Sequence, residues 1–192
     1  MHATRMSHTD TGLLVIDMQE KLLPIVPGRS DLLEQITFLV EVAHKLGLTV
    51  QATEQYPKGL GATVAPLCDL IPQRLAKTGF SCCDAPGVVE TYHREARPKI
   101  VLCGIETHVC VLHTALDLLA QQFRVYVAID AVGSRFAHDH QVALRRMEQA
   151  GVIPTTVETC VFEWMGGASH PHFKEISRLV QGRMKAMGGL PS

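Results

Sequence analysis

The sequence predicts a doubly wound α/β domain: three α/β/α layers, Rossmann-like, around a mostly parallel sheet. Three observations carry that reading. Residues Gly12 to Asp17 (GLLVID) form a continuous apolar run closed by an acid, which suits a strand buried on both faces. The segment behind it repeats apolar residues at helical spacing. Strand-like and helix-like segments then alternate to the end of the chain, the pattern of βαβ units with helices on both faces.

After the first strand, Leu32, Leu33, Ile36, Leu39, Val40, Val42, Ala43 and Leu46 make an amphipathic helix, with Ser30 as its expected N-cap and Gly47 as its stop. Leu48 to Thr53 is the second strand, and Tyr56 to Gly61 reads as a loop from its Pro and Gly content. Leu75 to Lys77 is a short third strand and Pro86 to Glu95 a modest helix. Lys99 to Cys103, Arg124 to Ile129 and Val152 to Thr156 complete the strands. Between and after them come helices over Thr107 to Gln122, Ala137 to Ala150 and Pro171 to Met187.

A chain of 192 residues buries enough surface to fold without metals or disulfides, and no linker, repeat or low-complexity tract divides it. A single domain over 1–192 is expected, with 1–11 as a flexible arm. With 46% apolar residues, 19% charged residues and a formal net charge of -1, nothing favours a polyanion, so no nucleic-acid partner is expected. The six cysteines contain no C-x-x-C pair, which fits a reducing, cytoplasmic setting. Leu13 to Ile16 is too short for a signal-peptide core or a membrane span, so no membrane association is expected either.

Ligands of open α/β sheets bind outside the carboxyl ends of the strands, which singles out Asp17, Lys77 and Cys110. An ionised Asp17 at the end of a buried strand needs a cation, and Lys77 is available as one. With Thr107 as N-cap, Cys110 falls in the first helical turn, where unpaired N–H groups and the positive helix end would lower its pKa and could hold an oxyanion. For an arbitrary cysteine in such an apolar run the bland alternative is favoured, since free Cys is among the most buried residue types and fills cores, and spacing alone does not choose. His108, Cys110 and His113, the pair His138 and His140, and the pair His170 and His172 match no recognised ligand spacing, so no metal is expected. No phosphate-binding glycine loop is present and no cofactor is expected.

Taken in order, Leu14-Val-Ile-Asp-Met-Gln19, Lys77-Thr-Gly-Phe-Ser81 and Gly104-Ile-Glu-Thr-His-Val-Cys-Val111 with Thr114-Ala-Leu-Asp117 resemble the isochorismatase-like cysteine hydrolase superfamily, from about residue 12 to about residue 180. Thr53 to Gly61 and Gly167 to Lys174 look like its isochorismatase domain-containing branch. The resemblance implies an Asp17/Lys77/Cys110 triad that cleaves a small amide or carbamoyl C–N bond through a thioester. It also implies a cis peptide at Ile105-Glu106, an oxyanion hole from the N–H groups of Glu106 and Cys110, and a homo-oligomer. Gln19, Gln55, Tyr56, Phe80 and Thr107 flank the motifs and are the expected pocket wall, with a small molecule as partner. Nicotinamidases of this superfamily carry an Asp-x-His metal motif where this chain has Gln51 to Tyr56. Vinyl-ether hydrolysis with Asp17 as acid, and a non-catalytic interaction protein, are the alternatives. Val161, Phe162, Trp164 and Met165 either supply a contact between subunits or pack beneath the terminal helix.

Overall fold

A computed structural model describes residues 2–186, the side chains of 184–186 excepted. Strand β1 (Thr11–Ile16) is buried along its whole length. Helix α1 (Arg29–Lys45) follows, capped by Gly28 in the left-handed region (φ 68°), so Ser30 sits inside the first turn and is not the cap. Gly47, also left-handed (φ 71°), ends it as expected. β2 (Thr49–Gln55) runs two residues beyond the expected Thr53. The expected loop after it contains one helical turn, α2 (Pro57–Leu60), and a second short turn follows, α3 (Leu67–Leu70). Then come β3 (Arg74–Lys77), α4 (Val88–Arg94) and β4 (Lys99–Ile105).

A π-helical turn (Thr107–Val111) leads into α5 (Leu112–Ala120), and β5 (Arg124–Gly133) continues four residues past the expected Ile129. α6 (Ala137–Ala150) and β6 (Ile153–Thr155) match their expected positions. Between β6 and the terminal helix lies one helix the sequence reading left out, α7 (Val157–Met165). α8 (Phe173–Ala186) starts two residues later than expected, and Met187, its expected end, lies outside the described residues.

The six strands form one parallel sheet in the order β3-β2-β1-β4-β5-β6. Strand alternation divides the apolar side chains between two clusters. Leu13, Val15, Val101, Cys103, Tyr126 and Ala128 face α1, α7 and α8, while Leu14, Ile16, Ile100, Leu102, Val125 and Val127 face α4, α5 and α6. Trp164 and Val161 are core residues of the first cluster at 1% and 0% exposure, and Met165 joins them. Of the four apolar residues considered for a subunit contact, only Phe162 is exposed.

Part of the segment expected as a flexible arm makes contacts with the body of the fold. Met6 is buried, its N–H donates to the Glu163 carboxylate (2.9 Å), and Lys99 Nζ donates to Asp10 Oδ2 (2.6 Å). Among the described residues no helix is long and apolar enough to cross a membrane.

Candidate functional site

The strand order fixes where a site can form. The chain leaves β1 towards β2 on one side and leaves β4 towards β5 on the other, so the loops beyond these two neighbouring strands part and open a crevice. Asp17 is the first residue beyond β1, and the π-helical turn carrying Cys110 begins two residues beyond β4. Lys77 is the last residue of β3, two strands away from β1.

Asp17 is fully buried and left-handed (φ 52°), a region that non-glycine residues enter rarely and mostly where the surroundings enforce it. Its backbone N–H donates to Thr53 O (3.2 Å), and its carboxylate accepts from Thr53 Oγ1 at Oδ1 (2.7 Å) and from Lys77 Nζ at Oδ2 (2.8 Å). Both side chains of this ion pair are 0% exposed. Cys110 lies close enough to the same carboxylate to feel its charge and is 5% exposed. The three residues expected to act together therefore lie near one another, the Asp17–Lys77 pair in direct contact and the thiol beside it.

Lys77 Nζ also donates to Gln55 Oε1 (2.6 Å) and to the carbonyls of Phe80 (3.1 Å) and Gly79 (3.4 Å). An ammonium has three protons to donate, so the protein itself uses them all. Burial alone would lower this lysine, but the Asp17 carboxylate beside it and the Cys82 and Cys110 sulfurs outweigh burial and hold it above its ordinary 10.5.

The thiol behaves opposite to the sequence expectation. Burial, then the Asp17 charge, push Cys110 well above the usual thiol range, and the nearby Lys77 ammonium offsets only part of this. Cys82 is also fully buried and pushed up to about 12, but its sulfur faces the Thr53 hydroxyl (3.3 Å). Cys110 differs in standing on the turn beyond β4 with 5% of its surface exposed, and beside the Asp17–Lys77 pair it has a base nearby rather than a thiolate formed in advance.

The local chain explains this placement. Gly104 is the only residue type that fits where β4 passes β1: a Cβ there would stand 2.1 Å from Ile16 O, and its φ is 117°. Ile105-Glu106 is a cis peptide, as the resemblance implies. Glu106, not Thr107, caps the turn, and its carbonyl accepts from Val109 N (3.0 Å) and Val111 N (3.2 Å), the second being the wide i to i+5 bond of a π turn. Cys110 is thus the fourth residue of the turn. The Glu106 N–H has no backbone acceptor among the described residues.

Of the expected pocket wall, only Tyr56 and Phe80 expose their side chains, each at 54%. The Phe80 ring stands 5.9 Å from that of His113, which follows Cys110 by three residues. Gln19 is fully buried with its amide committed: Oε1 accepts from Gln55 N (2.7 Å), and Nε2 donates to Gln55 O (3.0 Å) and Gly61 O (2.7 Å). Thr107 is buried with its hydroxyl on His140 Nδ1 (2.9 Å), and the Glu106 side chain turns to Arg135, whose N–H it accepts at 3.1 Å. Thr53 and Arg135 were not singled out by the sequence reading, and His113 and His140 entered it only as metal ligands without a recognised spacing. Only Thr53, a hydroxyl closing a predicted strand beside the Asp17 strand, carried a signal there. A cavity of about 860 Å³ lined by Arg5, Asp130, Glu163 and Arg183 lies apart from the triad.

A parallel sheet of this order with helices on both faces is the isochorismatase-like α/β fold. The chain belongs to the isochorismatase domain family, whose model matches residues 11–159. It is 41% identical to Isochorismatase domain-containing protein 2 of Bos taurus over 172 residues, 88% of this chain and 82% of that protein. The solved structure of MAR1 ribonuclease from Caenorhabditis elegans superposes with a TM-score of 0.88 at 38% identity, covering 93% of each chain. The YcaC gene product of Escherichia coli, described as an octameric hydrolase of unknown specificity, shares the fold (TM-score 0.83, 21% identity, 97% of this chain and 99% of that one).

Proposed function

We propose that this chain is a cysteine hydrolase that cleaves the C–N bond of a small amide or carbamoyl compound, with Asp17, Lys77 and Cys110 as its catalytic residues. The observation that carries the reading is the Cys110 thiol standing beside an Asp17 carboxylate that is itself paired with Lys77. Asp17 takes the thiol proton as sulfur attacks the carbonyl carbon, and the N–H groups of Glu106 and Cys110 receive the oxyanion. The C–N bond then breaks, the proton on Asp17 passes to the departing nitrogen, and an acyl thioester remains on Cys110. Water attacks the thioester while giving a proton to Asp17, the C–S bond breaks, and that proton returns to sulfur. Lys77, with every proton held by the protein, keeps the carboxylate in place and balances charge. No step requires a metal, and among the described residues no three His, Cys, Asp or Glu side chains gather as a ligand set.

A thiol needs a base in contact only if it is to be deprotonated during the reaction, which favours this reading over vinyl-ether cleavage, where Asp17 alone would protonate the substrate. Cys110→Ala is expected to lower turnover of a small-amide panel by about 10³-fold or more while leaving the circular dichroism spectrum and melting temperature close to wild type. Wild-type turnover in the variant would end the thiol mechanism and favour the vinyl-ether reading. The ribonuclease named for the nematode neighbour is not adopted. A thiol 5% exposed in a chain of formal net charge -1 offers a phosphate backbone little electrostatic reason to approach.

The six free cysteines support a cytoplasmic setting. A homo-oligomer belongs to the same reading, supported by the octamer described for the YcaC neighbour and by the exposed Tyr56, Phe80 and Phe136. Sedimentation equilibrium is expected to give a multiple of the 21.1 kDa chain mass, and a monomer at micromolar concentration would refute it.

A further inference from the structure

We infer that Gln55 is a positioning residue for Lys77, holding the ammonium over the thiol and carboxylate; this rests on the triad reading above. The argument starts from the sheet order. β2 lies between the strand that delivers Asp17 and the strand that delivers Lys77, so the lysine must reach across the end of β2 to meet its partner. The residue at that end is Gln55, which pairs with Lys77 in the β2–β3 register.

Its amide is oriented from three directions. Oε1 accepts from Lys77 Nζ at 2.6 Å, shorter than the Lys77 bond to Asp17 at 2.8 Å. Nε2 donates to Thr78 O (2.8 Å), which fixes which end of the amide faces the ammonium. The Gln55 backbone N–H and C=O are both held by the Gln19 side chain, so the residue cannot slide along its strand. With 8% of its surface exposed, Gln55 is not a substrate-facing wall but a strut beneath one. A neutral amide suits this position: it accepts from the ammonium without competing with Asp17 for its charge, as a second carboxylate would. The Phe80 and Gly79 carbonyls belong to the loop after β3 and stand farther off (3.1 and 3.4 Å), so they cannot by themselves fix the lysine over β1.

The test reads Cys110 directly and needs no substrate. Iodoacetamide labelling of the whole protein is followed peptide by peptide across a pH series in wild type, Gln55→Leu, Gln55→Asn and Lys77→Met. Lys77→Met removes a charge that favours the thiolate and is expected to slow Cys110 labelling about tenfold or more at mildly alkaline pH. Gln55→Leu is expected to slow it in the same direction, with labelling of Cys68 and Cys83 unchanged; a purely structural role would lower the melting temperature without moving the Cys110 profile. Gln55→Asn, which keeps an amide but withdraws it by one methylene, is expected to slow labelling too and stands in if the leucine variant does not fold. Wild-type labelling in the Gln55 variants beside slow labelling in Lys77→Met overturns the role of Gln55 alone. Unchanged labelling in Lys77→Met removes the influence of Lys77 on Cys110, and with it both this inference and the triad reading on which it rests.

Discussion

Asp17→Asn is expected to speed alkylation of Cys110 while abolishing its turnover. The two effects separate because the carboxylate plays opposite parts in the resting enzyme and in the reaction. At rest, burial and then the negative charge of Asp17 hold the proton on sulfur; Lys77 pulls the other way. An amide in place of the carboxylate leaves burial and the Lys77 charge but removes the opposing charge. The thiol pKa falls, and at any pH below it the thiolate fraction rises. During turnover the same substitution removes the carboxylate beside the thiol, and no group is left to return a proton to the leaving nitrogen. The measurement is the rate of Cys110 labelling against pH for both proteins, beside turnover of an amide. Slower labelling in the Asn variant would mean that Asp17 helps to form a resting thiolate, and the thiol would then resemble the activated nucleophile that its place near a helix start predicts.

That reversal shows where sequence stops being informative. The strands were legible because parallel strands buried on both faces read as unbroken apolar runs, and the acid closing the first of them marked the crevice. The ordered motifs around Asp17, Lys77 and Cys110 made the trio legible before any distance was known. Its electrostatics were not, because proximity to a helix start is a local property, whereas desolvation and the charge of a carboxylate from another strand arise only on folding. Gln19 and Gln55 were near the site in sequence for the same reason, yet their amides are spent on backbone and on Lys77. Helix α7 is a different kind of omission. Val157, Cys160, Val161, Trp164 and Met165 fall at i, i+3, i+4, i+7 and i+8, with Thr156 as N-cap accepting from Thr159 N and Gly166 left-handed at the end (φ 73°), so the helical signal was complete.

Lys77→Met is expected to cost about 3–5 kcal/mol of folding stability, far more than loss of an exposed ion pair. Methionine fills much of the lysine's volume, so the cost is not chiefly a cavity; it comes from leaving the Asp17 carboxylate without a cation at 0% exposure, with the Thr53 hydroxyl still donating to it. The double variant Asp17→Asn/Lys77→Met is expected to recover most of the loss, because it removes the stranded charge as well as its partner. Urea unfolding of wild type, both single variants and the double variant measures the coupling. Additive losses would show that the pair is not held together in the folded chain. The pH dependence supplies an independent check of sign. Lys77 is held above its ordinary 10.5 in the folded state, so its contribution is fully present below the unfolded value and is lost as pH rises through the folded one. The gap between wild type and Lys77→Met should therefore stay constant through neutral pH and narrow only in the alkaline range above about 10.5. A gap that closed near neutrality would mean that the lysine loses its proton at working pH, and then it could not serve as the fixed charge that keeps Asp17 ready to take the proton of Cys110.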